Sequence, residues 1–204
     1  MKSQILKLHN LLEQALSEDQ AKNILDTRHY ITLLLVECGS EGFDKNTGKL
    51  KIQFEPGRFA AITRLPRVGL WAENKVDVQS KEWVAFSDAF RIDPQAAMKA
   101  TSIGLPQILG ENHLLCGYDT VDAMWDDFKV GELNQAKALI RFLNHPQNKG
   151  LKNNLFIQNW DGVAKGYNGK GYKALALKLK TKPYDEKLRD MFKLVSSVLS
   201  EVKK

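Results

Sequence analysis

Cysteine is nearly absent from this chain: Cys38 and Cys116 are the only two among 204 residues. A disulfide-stapled scaffold is therefore excluded, since such folds need paired thiols throughout. Whether these two bridge is not fixed by their spacing, and Cys38 also reads as a small buried hydrophobe on a helix. Histidine is sparse as well, with four scattered residues and neither a CxxC nor an HxxxH spacing, so no metal is implied. Long apolar runs are missing too. None approaches the roughly 20 residues of a membrane span, and residues 1–16 lack the roughly 7 to 15 residue apolar core of a signal peptide. The expectation is a soluble protein made in the cytoplasm, which other machinery must deliver if it acts at a cell wall. Acid is in deficit, 24 Asp and Glu against 30 Lys and Arg, for a formal charge of +6. That balance suits a polyanionic partner without choosing among nucleic acid, anionic lipid and acidic wall polymer. No array of basic and aromatic residues favours nucleic acid.

What is present is an ordinary globular composition, 43% hydrophobic and 26% charged, in a length that suits one domain over 1–204. Apolar residues recur at helical spacing in Ile5, Leu8, Leu12 and Leu16, and again in Ala21, Ile24 and Leu25, where Ser17 reads as the cap of a second helix. From about Thr27 the run to Cys38 is apolar on most faces, as in a buried central helix, and it ends at Gly39 with Glu37 in its last turn. Turn signals at Gly42, Asn46–Gly48 and Pro56-Gly57 enclose one alternating segment, Leu50–Phe54, read as part of a small β-hairpin. The tract from Arg64 to Lys81 reads as a long loop. A helix is expected around Trp83–Phe90. Others are expected near 93–101, capped by Asp93-Pro94, and near 105–109, 121–129, 132–144, 147–156, 159–165, 170–180 and 184–202. The last of these is rich in lysine. Together with Lys178, Lys180, Lys182, Lys203 and Lys204 it makes either a solvated face or a weak contact with an anionic wall or membrane surface.

Three separated segments stand out: Val36-Glu37-Cys38-Gly39 with Gly42-Phe43, then Ser102-Ile-Gly-Leu-Pro-Gln107-Ile-Leu-Gly110, and Tyr167-Asn168-Gly169. Their order resembles the phage and prophage N-acetylmuramidase family of the lysozyme-like superfamily. The resemblance runs over about 20–190 and takes in Ile52-Gln-Phe-Glu55, Phe59, Ala96-Ala97, Asn112-His113, Gly117-Tyr118, Phe142, Trp160 and Ala164. It implies an α+β, mainly α, lysozyme-like domain with a small hairpin beside its cleft. It also implies an endolysin-type muramidase that cleaves the β-1,4 bond between N-acetylmuramic acid and N-acetylglucosamine of peptidoglycan, as a monomer and without a cofactor. Ile103 and Pro106 depart from the family's pattern, and so leave the floor of the cleft open.

Glycosidic cleavage at near-neutral pH needs a protonated carboxyl beside the leaving oxygen. Glu37, flanked by Leu35 and Val36 at the end of an apolar helix, is placed for the desolvation that keeps a carboxyl protonated. Glu55 is expected to supply a second carboxylate as base, nucleophile or charge stabiliser, or else to brace the hairpin. By the resemblance, Ser102, Gln107, Tyr167 and Asn168 contact the sugars, with Tyr167 also a partner for the catalytic carboxyl; Ser102 serves equally as a helix cap. Two rivals share these landmarks. A lytic transglycosylase breaks the same bond with one carboxyl, and a wall-binding or virion protein could keep the fold without turnover.

Overall fold

The computed structural model describes residues 1–18, 23–37, 39–73 and 78–202, with Asn168 and Val202 described by backbone alone. The chain divides into two compact units, one formed by Met1–Ser40 with Leu143–Lys204 and the other by Glu41–Phe142.

The first unit is helical. Helix α1 (Lys2–Glu18) buries Ile5, Leu8, Leu12 and Ala15, a stripe at three- and four-residue steps, against α2 (Thr27–Glu37). Ser17 lies inside α1, where its hydroxyl donates to the Gln14 carbonyl, so it caps no second helix. Residues 23–26 are not helical, and Ala21 lies outside the described residues. Helix α2 is buried from Thr27 to Leu34 apart from Arg28, in keeping with its apolar residues Tyr30, Ile31 and Leu33 to Val36. The long C-terminal helix of this unit, Tyr184–Val202, packs on α2, and its Phe192 ring lies 5.2 Å from His29 and 5.1 Å from Trp160.

The second unit is built on a three-stranded antiparallel sheet ordered β1 (Ile52–Phe54), β2 (Thr101–Ile103), β3 (Ile108–Leu109). The expected hairpin around Leu50–Phe54 is reduced to one bridge, Phe43 to Leu50, and β1 instead pairs with β2, Gln53 opposite Ser102. The true hairpin is β2–β3. Residues 105–109, expected as helix, form its turn and returning strand, because Gly104 (φ 69°) and Gln107 (φ 48°) both adopt left-handed backbone that a helix excludes. Pro56-Gly57, read as a turn, opens helix α3 (Pro56–Thr63), with proline in the first turn where its missing N–H costs nothing.

The tract from Arg64 to Lys81 is shorter as a loop than expected. A 3-10 turn at Leu70–Glu73 buries Trp71 edge-on to Phe59, their centroids 4.9 Å apart, and α4 (Gln79–Ile92) begins soon after. Asp93 caps α5 (Pro94–Lys99) as expected, accepting from the Ala96 amide at 2.9 Å. Helices α6 (Val121–Val130) and α7 (Glu132–Asn144) complete this part of the chain. In the first unit α8 (Lys149–Phe156), α9 (Trp160–Asn168), α10 (Tyr172–Lys178) and α11 (Tyr184–Val202) follow. The strong period of these segments explains why the expected helices and the observed ones agree closely.

Candidate active site

Glu37 is the last residue of α2, and Gly39 follows with φ 81°, a left-handed conformation that ends helices and favours glycine. The next turn is tied down by Lys7, whose ammonium donates to the Ser40 carbonyl at 3.1 Å. A carboxylate at a helix C-terminus faces the negative end of the macrodipole, an unfavourable place for charge. Burial adds to this and pushes the Glu37 carboxyl up to about 7 against an ordinary 4.5, while the ammonium of Lys187 pulls the other way. The Tyr184 hydroxyl donates to Glu37 Oε1. Tyr184 is buried at the start of α11 and Lys187 is exposed one turn along. Tyr184 is thus a hydroxyl partner of Glu37 that the sequence did not single out. A tyrosine and a lysine three apart, on a helix distant in sequence from Glu37, carry no local signal.

Tyr167, which the resemblance assigns to sugar contact, is half-buried on α9. Asn168 ends that helix, and its side chain lies outside the described residues.

Glu55 belongs to the second unit, where it directly follows β1 and occupies the N-cap position of α3. Its amide donates to the Ala100 carbonyl at 2.9 Å, and its own carbonyl accepts from Arg58 and Phe59 at 3.0 Å each. The backbone is fully committed, yet the exposed carboxylate makes no capping bond, so Glu55 does not brace the hairpin through its side chain. Partial burial raises its pKa, Arg58 opposes this, and Glu111 adds to it. Arg58 is itself held by Glu111, one nitrogen at 2.7 Å.

The strand that presents Glu55 is held on both edges. On one side it pairs with β2. On the other the Gln79 side chain reproduces a strand, accepting from the Ile52 amide and donating to the Ile52 carbonyl at 2.9 Å each, while Glu82 accepts from the Phe54 amide at 2.8 Å.

The Ser102–Gly110 segment is equally fixed. Gln135, with no exposed surface, accepts from the Leu105 amide at 2.7 Å and donates to the Phe128 carbonyl at 2.8 Å. A Cβ on Gly42 would fall 2.0 Å from the same Gln135 oxygen, and one on Gly104 would fall 2.7 Å from Phe128, so both positions require glycine. Gln107 donates through Nε2 to the carbonyls of Gly104 (2.8 Å) and Lys51 (3.3 Å). Its donor is therefore spent on the turn. Ser102 is a strand residue, 8% exposed, and not a helix cap. Ile103, Leu105 and Pro106 are buried, so the departures from the family pattern are core substitutions.

Cys116 is a buried free thiol whose pKa burial lifts to about 12, and Cys38 lies outside the described residues. Among the described residues no group of His, Cys, Asp or Glu could hold a metal ion.

A buried helix that ends in a carboxyl of raised pKa, in a mainly helical fold with a small antiparallel sheet, is an arrangement similar to that of lysozyme-like proteins. Comparison with known proteins makes the assignment specific. The model of the N-acetylmuramidase family matches residues 27–196, and the chain belongs to that family. It is accordingly a peptidoglycan muramidase. The fold is similar to the crystal structure of the Burkholderia AP3 phage endolysin, with a TM-score of 0.68 at 24% identity over 98% of this chain and 71% of that one. No curated protein matches the sequence.

Proposed function

We propose that Glu37 is the general acid of this muramidase, protonating the bridging oxygen of the β-1,4 bond between N-acetylmuramic acid and N-acetylglucosamine. The observation that carries the reading is the place of its carboxyl, at the C-terminal end of the buried helix α2 beneath the Tyr184 hydroxyl, where burial raises the pKa to about 7 and favours the protonated form that an ordinary Glu at 4.5 lacks at neutral pH. Tyr184 orients the carboxyl through its hydrogen bond, and Lys187 keeps the pKa from climbing beyond the working range.

Glu55 is the second carboxyl of the reaction. Its unspent side chain and rigid backbone support this, as does its place in the motif order. As the bond to the leaving oxygen breaks, positive charge builds at the anomeric carbon, and an ionised Glu55 stabilises it, attacks it, or activates a water. Retention requires the two carboxyls about 5 to 5.5 Å apart and inversion roughly 6.5 to 9.5 Å. Gln107, Ser102, Tyr167 and Asn168 are proposed sugar contacts, with Gln107 acting through its amide oxygen. The likeness to a phage endolysin supports a role as an endolysin released to the wall, and the chain is proposed to act as a monomer. No helix of the described residues is long and apolar enough to cross a membrane.

The test is mass spectrometry of fragments released from purified peptidoglycan by wild type, Glu37→Gln and Glu55→Gln. Reducing muramic ends from wild type, lost with Glu37→Gln, are expected, with Glu55→Gln strongly impaired. Anhydro-muramic ends would mean transglycosylation. Release undiminished by Glu37→Gln would refute the assignment of the acid.

A further inference from the structure

We propose that the segment Lys170–Lys182, centred on α10, seats this protein on an anionic lipid bilayer. Its sequence, Lys-Gly-Tyr-Lys-Ala-Leu-Ala-Leu-Lys-Leu-Lys-Thr-Lys, carries five lysines and no acid. In the structure Leu175 is 50% exposed, Leu177 83% and Leu179 59%, interleaved with the exposed Lys178 and Lys180.

Fraying does not account for this exposure. Helix α10 is anchored on α9 and α11 through the buried Tyr172 and Ala176, and the Tyr172 hydroxyl donates to Asp161 at 2.8 Å. Its end is closed by Leu179 N–H to the Leu175 carbonyl (2.9 Å), Lys180 N–H to the Leu177 carbonyl (3.2 Å) and Thr181 N–H to the Ala176 carbonyl (2.9 Å). Ordered backbone thus holds three leucines in water, where each forfeits its transfer free energy.

The choice of occupant follows from having both kinds of side chain together. A soluble polyanion satisfies the lysines and gives the leucines nothing. Of the five lysines, Lys173 is paired with Asp161 and Lys182 with Asp190, and a second copy would bring Lys170, Lys178 and Lys180 face to face with their own kind. An anionic bilayer serves both, since leucines enter the acyl boundary while lysine stems lie along it and their ammonium groups stay among the phosphates.

The experiment is co-sedimentation of the full chain with vesicles of phosphatidylglycerol and phosphatidylethanolamine, and separately with phosphatidylcholine vesicles. Wild type is expected to pellet with the anionic vesicles and not with the neutral ones. The triple variant Leu175→Ser, Leu177→Ser, Leu179→Ser should lower partition about a hundredfold, from partial burial of three leucines. Lys178→Gln with Lys180→Gln should lower it about tenfold and flatten its salt dependence. The altered side chains are exposed, so far-ultraviolet circular dichroism and fragment release from purified wall should match wild type in both variants. Wild type left in the supernatant would overturn the proposal. So would a triple serine variant that pellets like wild type, since binding would then be by charge alone.

Discussion

Replacing Glu37 with glutamine should make this protein more stable while disabling it, and only at high pH. Glutamine keeps the shape of the side chain and cannot ionise. In the wild type a carboxyl of pKa about 7 in the native state becomes one of about 4.5 on unfolding. Below pH 4.5 both states hold the proton, and the group contributes nothing to pH dependence. Between 4.5 and 7 the native state binds more protons than the unfolded state, so wild-type stability falls as pH rises, and it levels off above 7. A gap of that size corresponds to about 3 kcal/mol, or a gain for Glu37→Gln at pH 8 of very roughly 6 to 12 °C in melting temperature for a chain this long. The assay is urea denaturation of both proteins at pH 4 and at pH 8. Taking the change between the two pH values cancels whatever the altered bond to Tyr184 costs at both. An equal stability difference at pH 4 and pH 8 would refute the claim that Glu37 is held protonated by its surroundings.

Two further outcomes are expected. Lys187→Met removes the cation that lowers the Glu37 pKa, so the alkaline limb of the kcat/KM profile should move upward by roughly half to one pH unit, the modest size befitting an exposed ammonium; a limb that stays put or moves down would contradict the assignment. Gln135→Ala strips partners from the Leu105 amide and the Phe128 carbonyl in a fully buried setting and should cost about 2 to 5 kcal/mol in urea denaturation, with loss of less than about 1 kcal/mol counting against its role as the brace of the β2–β3 turn.

Much of the helical architecture was legible because period and caps are local. The stripe of α1, the apolar run of α2 ending at Glu37, and the Asp93 cap are each written within a few consecutive residues. The sheet was legible only in part, since β1 pairs with a strand far along the chain and no local pattern records such a partner. The helical reading of 105–109 failed for a related reason: the turn is held by Gln135, which accepts from the Leu105 amide thirty residues away, and by Gln107, which donates to the Lys51 carbonyl. At the candidate site, Glu37 was singled out by its place at an apolar helix end together with the order of the three motifs. Its attendants Tyr184 and Lys187 could not, because their relation to it exists only after α11 has packed on α2.

The side chains of Gln79 and Glu82 along β1 bear on how the protein behaves in a crowd. An uncovered strand edge is a template on which another chain can add a strand, and short sheets are the usual seeds of such growth. Here the Ile52 amide and carbonyl and the Phe54 amide are already taken by side chains of α4. The strand that leads into Glu55 is consequently closed along this edge to recruitment by other chains.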